Sequence, residues 1–522
     1  MADDFQKSIS EGYGFQGPKL LLGAPLRDGK VVAASTTIGI PLAMMNRHGL
    51  IAGATGTGKT KTLQSLAGQL STAGVPSFLA DLKGDLSGLA APGVTNPNVE
   101  ERARACGIAF TPEAYPVEFV SLTGKSGNQL RATVSSFGPL LLSRALGLNE
   151  TQQSVMALVF RFCDEKKLLL LDLPDLREVL QYLTGAGSAE LKEFGGISTA
   201  TAGVLLRKIV ELEQQGADVF FGEPEFRVED LLRVDGGRGV LTALELNDIQ
   251  DRPALFSTFM MWLLASLYRE LPEVGDVEKP KLVFFFDEAH LLFDGASKAL
   301  LDEVEKVVRL IRSKGVGIFF ITQSPKDIPA DVLGQLGNRV QHALRAFTAD
   351  DDKALKAAAR TFPKTPFYDI EETLTTLGIG DAFITVLSPN GAPTPPFATR
   401  LVPPAARMGP LTDGEMAQRL SSSAQVKEYA TPIDRESARE LLAKRIAATA
   451  DAVASDADHQ ASQPAGAATR AGGRAPKPEP STFEKVINSP LTRTVAGVVA
   501  RGIMGALLPR RRSTTRSRRS IW

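Results

Sequence analysis

The sequence has little of what staples or metallates a fold. Of its 522 residues two are cysteine, Cys106 and Cys163, and four are histidine. The cysteines form no C-x-x-C pair and have no histidine cluster beside them, which argues against a structural metal and a disulfide framework and for two buried thiols in a reducing compartment. Long apolar runs are missing too. The longest candidate, residues 254–268, is interrupted by Ser257, Thr258 and Ser266 and falls short of the ~20 apolar residues that a bilayer demands, so it reads as a buried core helix. The opening Met-Ala-Asp-Asp-Phe-Gln-Lys lacks the basic and apolar regions of a secretory signal. Together these absences predict a cytoplasmic protein without a transmembrane helix.

Net charge is also absent, but only formally. Residues 481–522 carry nine Lys/Arg against Glu484 alone, a net +8, which leaves the other residues with 50 Lys/Arg against 58 Asp/Glu, a net −8. The body is acidic and the tail basic. A hydrophobic fraction of 43% is that of an ordinary globular protein, and the length allows two to four domains.

What is present is decisive in one stretch. Residues 51–63 read Ile-Ala-Gly-Ala-Thr-Gly-Thr-Gly-Lys-Thr-Lys-Thr-Leu. Within them Gly53, Ala54, Thr55, Gly56, Thr57, Gly58, Lys59 and Thr60 fit G-x-x-x-x-G-K-[ST], a loop whose glycines let the backbone wrap a phosphate. The context agrees: Leu50-Ile51-Ala52 reads as the end of a buried strand, and Leu63, Leu66, Ala67 and Leu70 recur at helical spacing until Gly74. Lys59 is then expected to contact the β- and γ-phosphates, and Thr60 to ligate Mg²⁺. The competing reading is a bland glycine-rich turn.

A second element is Lys281-Leu-Val-Phe-Phe-Phe-Asp287-Glu288-Ala-His290. Five apolar residues in a row make a strand buried on both faces, and carboxylates at its end meet the ligand crevice of a parallel sheet. Asp287 suits Mg²⁺ through water and Glu288 suits the base that activates an attacking water, the alternative being an acidic strand-to-loop transition. A third element is Ile318-Phe-Phe-Ile-Thr322-Gln323-Ser324-Pro325, where Gln323 can orient that water or sense the γ-phosphate, or simply cap a strand end. Between these strands Leu300, Val304, Val307, Val308 and Ile311 form one apolar helical face, with Arg309 opposite it and Arg312 on its flank. Both arginines suit a solvated face near a helix C-terminus or an arginine finger reaching a neighbouring subunit, and Arg339 and Arg345 compete for the latter role.

Apolar runs at 75–82, 117–122, 239–246, 281–286, 315–322 and 338–344, separated by helical segments, predict an α/β fold with a mostly parallel sheet. Residues 1–47 form a short β lead-in with strand-like pieces at 19–22 and 31–34 around Asp28-Gly29. Residues 48–403 form the main domain, with a helical insertion at about 128–235 that offers a partner surface, or weak nucleic-acid contact through Arg131, Arg207 or Lys208. Residues 381–391 suggest a closing hairpin. Residues 404–480 hold a helix near 435–450 and a low-complexity linker, and 481–522 form the basic tail, which suits DNA, an anionic membrane surface or a disordered solubilising role.

The combination of the 53–60 cradle preceded by Asn46-Arg47-His48, the Asp81-x-Lys83-Gly-Asp85 motif, the strand ending Asp287-Glu288-Ala-His290, and Thr322-Gln323-Ser-Pro325 resembles the HerA and FtsK group of hexameric DNA-translocating ATPases, the HerA-like proteins above all. The likeness covers about residues 20–403. It implies a P-loop NTPase of the RecA-like type, with a catalytic glutamate, ATP and Mg²⁺ as cofactors, DNA as partner and a homo-hexameric ring. It also implies that Gln323 is the sensor and that Arg312, eleven residues before it, acts in trans. HerA proper carries a β-barrel before its motor domain, for which this lead-in is too short, and the membrane spans of FtsK and the coupling proteins are missing. The alternative to a DNA motor is a nucleotide-switched scaffold, or an ATPase that moves a protein partner. His48 and His290 are expected to be hydrogen-bonded supporting residues rather than proton shuttles, and Asp81, Lys83 and Asp85 have no assigned role.

Overall fold

The computed structural model describes residues 2–32, 37–190, 195–294, 296–433 and 435–461. Apolar strands buried on both faces must pair with one another, and here they form one mixed sheet. In spatial order its parallel strands are Asn338–His342, Gly49–Ala52, Val316–Thr322, Leu282–Phe286, Ser77–Asp81, Leu241–Glu245 and Val117–Ser121, with Asn128–Gln129 beyond. Asp381–Thr385, Phe397–Leu401 and Lys19–Arg27 continue the opposite edge antiparallel. The α/β fold with a mostly parallel sheet is therefore as expected.

The register gathers the strand ends. Ala52 lies opposite Thr322 and Gln341, Phe286 opposite Ala80 and Phe320, and Glu245 opposite Asp81. The loops that follow these residues share one rim, where a parallel sheet presents its ligand crevice.

Side chains alternate across the pleat, so one strand feeds two cores. Leu282, Phe284 and Phe286 join the core shared with the helices of residues 134–214, while Val283 and Phe285 join the core under Leu63, Leu66 and Leu70. The helix Pro253–Glu270 buries Phe259, Trp262 and Leu263 among the first of these sets, which explains its apolar run without a membrane. Among the described residues no helix is long and apolar enough to cross a membrane. Between the Val117–Ser121 and Leu241–Glu245 strands stand the helices Val134–Ala145, Glu150–Lys166, Leu173–Thr184 and Thr199–Gln214. Asn149 and Asp172 begin two of them with reciprocal capping boxes.

Two segments differ from the sequence reading. The lead-in contains a helix, Ala2–Tyr13, in addition to strands. Its apolar residues Phe5, Ile9 and Tyr13 make a narrow stripe in a polar stretch, and the helix is held by tertiary contacts, Phe5 standing edge-on to Phe367 and Phe397 with ring centroids 5.2 and 5.3 Å away. The Lys19–Arg27 and Lys30–Val31 strands do form a hairpin across Asp28-Gly29, and residues 33–34 of the second piece lie outside the described residues.

The chain after residue 403 also stays on the body, whose compact unit runs through Asp451. Arg407 and Glu415 pair in two contacts of 2.7 and 2.9 Å, Arg419 donates to the Ala90 carbonyl at 2.6 Å, and Tyr429 and Leu442 are buried. Composition alone does not reveal this docking, because few apolar side chains carry it. A second unit, Ala452–Trp522, is described only over its helical residues 452–461; the rest of the linker and the basic tail lie outside the described residues.

Candidate active site

The cradle begins where the Gly49–Ala52 strand ends. A Cβ on Gly53 would lie 2.5 Å from Cβ of His342, so only glycine lets the loop pass this side chain, and Gly58 caps the helix Lys59–Thr72 at φ 112°, a conformation that a β-carbon disfavours. The loop is tied down from below. Gly53 N donates to Thr322 O at 3.2 Å, Ala54 N to Ala343 O at 2.8 Å, and Gly380 N to Thr57 O at 2.9 Å.

His342 completes this support, and the sequence reading missed it. It is fully buried, and burial holds its imidazole down at about 3, helped by the Lys59 ammonium. The neutral ring has one donor, which must be Nδ1, since Nδ1 lies 3.1 Å from the Thr57 carbonyl; Nε2 then accepts from Thr62 Oγ1 at 2.9 Å. Its only sequence signal was a histidine at the end of a strand next to the cradle.

Lys59 is buried at the base of the loop, donating to Gly53 O at 2.8 Å and Ala54 O at 3.3 Å. Burial lowers its pKa most, and Glu288 and Asp287 pull it back up. The backbone of the loop thus stores the lysine where incoming phosphate oxygens can replace two carbonyls.

Asp287 and Glu288 follow the Leu282–Phe286 strand. Asp287 is pushed up to about 6, by burial first and then by Glu288 and Asp81. Glu288 is 6% exposed and holds a left-handed backbone at φ 49°, uncommon outside glycine. Burial pushes its carboxyl up, but the Lys83 side chain, His290 and Lys59 outweigh it, and the pKa is lowered overall. Lys83 Nζ donates to Glu288 Oε1 in an ion pair, and His290 Nδ1 lies 3.5 Å from Oε2.

The Asp81 motif now has a physical role. Asp81 is fully buried and accepts three backbone N–H groups, from Lys83 at 3.1 Å and Gly84 at 2.8 Å on Oδ1 and from Leu86 at 2.7 Å on Oδ2. This clasp folds the loop back over the strand end and delivers Lys83 to Glu288.

No group of three or more His, Cys, Asp or Glu among the described residues could hold a metal ion. The oxygen donors beside the cradle are the Thr60 hydroxyl and the Asp287 carboxylate. That is a fitting set for Mg²⁺, which binds through one or two protein oxygens and takes its remaining ligands from water and substrate phosphates.

Gln323 is exposed and lines a cavity of about 830 Å³ in front of the cradle, with Ala54, Thr55, His290 and Arg345. The residues on either side of it are anchored: Thr322 Oγ1 donates to Asp327 Oδ2 at 2.6 Å, and Ser324 N donates to the same oxygen at 3.0 Å. Arg312 is elsewhere. It lies in a short 3-10 turn, Ile311–Lys314, that follows the helix Lys298–Leu310 and precedes the seven-residue Val316–Thr322 strand. That strand sets it about 20 Å from the cradle rim, at the opposite end of the strands. There it lines a separate cavity of about 490 Å³ with Arg47, Arg309 and Arg339. Asp276 Oδ1 receives Arg47 Nη2 at 3.2 Å and Arg312 Nη2 at 3.4 Å. So Lys59, Asp287, Glu288 and Gln323 converge on one rim, Arg345 shares it, and Arg312 does not.

His48 proves to be a hydrogen-bonded core residue. Its Nε2 donates to Val308 O at 2.8 Å, its Nδ1 accepts from Ile318 N at 3.0 Å, and burial lowers its pKa to about 4.

The chain resembles known proteins at three levels. A family model described as helicase HerA-like, C-terminal, matches residues 30–513. A protein of Methanocaldococcus jannaschii described as a probable helicase is 27% identical over 154 residues, 28% of this chain and 28% of that protein, so the match spans under a third of the relative. Among solved structures, the plasmid coupling protein TrwB bound to a non-hydrolysable GTP analogue is 16% identical with a TM-score of 0.47, covering 76% of this chain and 98% of that one. VirB4 of Thermoanaerobacter pseudethanolicus is 15% identical with a TM-score of 0.46, covering 74% and 97%.

Proposed function

Because the chain belongs to the helicase HerA-like C-terminal family, we propose that it is an Mg²⁺-dependent ATPase, a ring-forming motor that couples hydrolysis to movement along DNA. The observation that carries the catalytic part is the convergence of Lys59, Asp287, Glu288 and Gln323 on one rim of the sheet.

In this reading the loop of Gly53, Ala54, Thr55, Gly56, Thr57 and Gly58 wraps the phosphates of ATP with its N–H groups, and Lys59 exchanges the Gly53 and Ala54 carbonyls for β- and γ-phosphate oxygens. Thr60 and Asp287 would hold Mg²⁺, which when bound would neutralise phosphate charge. Glu288 accepts a proton from the water that attacks the γ-phosphorus. The bond to the β,γ-bridging oxygen breaks, leaving ADP and phosphate. Gln323, held between two anchored neighbours, orients that water.

Arg312 is the group this site borrows. Its position about 20 Å from its own cradle, at the far end of a strand, supports action on a neighbouring subunit, with a homo-hexameric ring as the assembly. DNA as the track is supported by the family and by the relative described as a probable helicase.

One observation favours a second reading. The chain outside residues 481–522 has a net charge of −8, which suits a nucleotide-switched scaffold or a protein-moving ATPase with the helical insertion as its partner surface. The ATPase rate measured with and without duplex DNA at two salt concentrations separates them. Stimulation that weakens at higher salt is the expected result; an unchanged rate at both favours the scaffold.

A further inference from the structure

The ion pair between Lys83 and Glu288 sits at the reacting end of the cleft and has no place in the reading above. A general base must offer a free carboxylate oxygen to water. One oxygen of Glu288 is held by the Lys83 ammonium, and the other, Oε2, is buried and makes no hydrogen bond among the described residues, with His290 Nδ1 standing 3.5 Å from it. As it stands, the base is masked by a lysine.

The two partners differ in their freedom to move. The Glu288 side chain is 8% exposed and follows a buried strand, whereas the Lys83 side chain is 52% exposed. Asp81 fixes the loop that carries Lys83 by accepting the N–H groups of Lys83, Gly84 and Leu86. Any exchange of partner must therefore come from the lysine stem. Lys83 and Lys59 both lower the Glu288 pKa, Lys83 the more, since it alone makes a direct contact.

We propose that Lys83 is a second phosphate-binding lysine, which exchanges Glu288 for the γ-phosphate of a nucleoside triphosphate in the cleft and so frees the base only when a substrate is present. A γ-phosphate carries more negative charge than one carboxylate and offers three acceptor oxygens, so it outcompetes Glu288 for the same ammonium. A diphosphate ends short of Lys83 and leaves the pair closed. No bond is made or broken in the exchange; one ion pair replaces another. Lys83 is thereby a positioning residue that ties the readiness of Glu288 to the identity of the nucleotide. The inference rests on the ATPase reading.

Equilibrium binding of ADP and of a non-hydrolysable ATP analogue, each with Mg²⁺, to the full chain tests it. Lys83→Met is expected to weaken the ATP analogue about tenfold, the worth of one charge-assisted contact, and to leave ADP within about twofold. Lys83→Arg is expected to recover most of the difference. Equal weakening of both nucleotides, or of neither, overturns the proposal. Should Lys83→Met fail to fold, Glu288→Gln gives the converse. With the competing carboxylate neutralised, it is expected to bind the ATP analogue more tightly than the wild type with ADP unchanged, and no tightening overturns the proposal. A wild-type chain that binds neither nucleotide refutes the ATPase reading itself, a different result from a wild type that binds both and a Lys83→Met chain that discriminates as well as it does.

Discussion

His342 Nδ1 lies 3.1 Å from the carbonyl oxygen of Thr57, so a buried neutral imidazole on one strand holds the phosphate cradle that follows the next. The same ring accepts from Thr62 Oγ1 on the cradle helix at 2.9 Å. One residue therefore fixes both ends of the turn, and its removal tests how far the cradle depends on support from beneath.

His342→Ala is expected to cost about 2–4 kcal/mol of stability, from two lost hydrogen bonds and the hole left behind. Nucleotide affinity should fall about tenfold as the loop loosens, one decade corresponding to about 1.4 kcal/mol. Denaturant melts and titration with a fluorescent nucleotide measure the two effects. A destabilised chain with wild-type affinity would mean that the Gly380 contact alone suffices to shape the loop.

Lys59→Ala and Glu288→Gln should fail in different ways. The first removes phosphate binding, and the second keeps it while kcat drops by about a hundredfold or more, because the base and not the cradle is lost. Binding and turnover measured on the same preparations make the comparison. Wild-type turnover by Glu288→Gln would remove that residue from the role of base.

Arg312→Ala should lower ATPase activity roughly a thousandfold, the scale on which arginine fingers act. Mixed with Glu288→Gln subunits it should regain part of that activity, since some interfaces would pair an intact Glu288 with an intact neighbouring Arg312. If confirmed co-assembly restores nothing, Arg312 acts within its own subunit or only holds its turn. If Arg312→Ala alone is fully active, Arg345, which lines the cradle cavity, is next to test.

Stability should respond to pH in two opposed windows. His48 and His342 are held down at about 4 and about 3 by burial. Below their unfolded value near 6.5 the unfolded chain binds protons that the folded chain refuses, so stability falls as pH drops through that window, by at most about 1.4 kcal/mol per pH unit for each histidine. Glu245, 2% exposed at the end of its strand, is pushed up to about 8 by burial first and then by Asp81 and Asp248. Its folded form keeps a proton that the unfolded chain loses above about 4.5, so its contribution is lost as pH rises toward 8. Thermal melts of wild type and Glu245→Gln from pH 5 to 9 should diverge with rising pH and run parallel above about 8. A constant difference across that range would mean that Glu245 is already ionised in the folded chain.

Much of this was legible in the sequence because its signals are local. The cradle is eight consecutive residues whose backbone needs dictate glycine at set positions, and the strand of Leu282–Phe286 declares its burial by being apolar at every residue. The order of spacing was enough to put Asp287 and Glu288 at a crevice and to mark the Lys298–Leu310 helix by one apolar face. The hairpin at Asp28-Gly29 was legible for the same reason, since a two-residue turn carries its own chemistry.

Only the tertiary structure decided which distant residues meet. Lys83 stands 205 residues before Glu288, and His342 stands 285 after Thr57; each pair is joined by strand order, not by spacing along the chain. The helix Ala2–Tyr13, whose narrow stripe of Phe5, Ile9 and Tyr13 is its one sequence signal, and the docked residues 404–451 were likewise settled by what they pack on. The separation of Arg312 from the cradle follows from a parallel sheet in which the turn before a strand and the loop after it lie at opposite ends of the strands. Local chemistry is written in consecutive residues, whereas the burial and pairing that tune it depend on neighbours that the chain brings back from elsewhere.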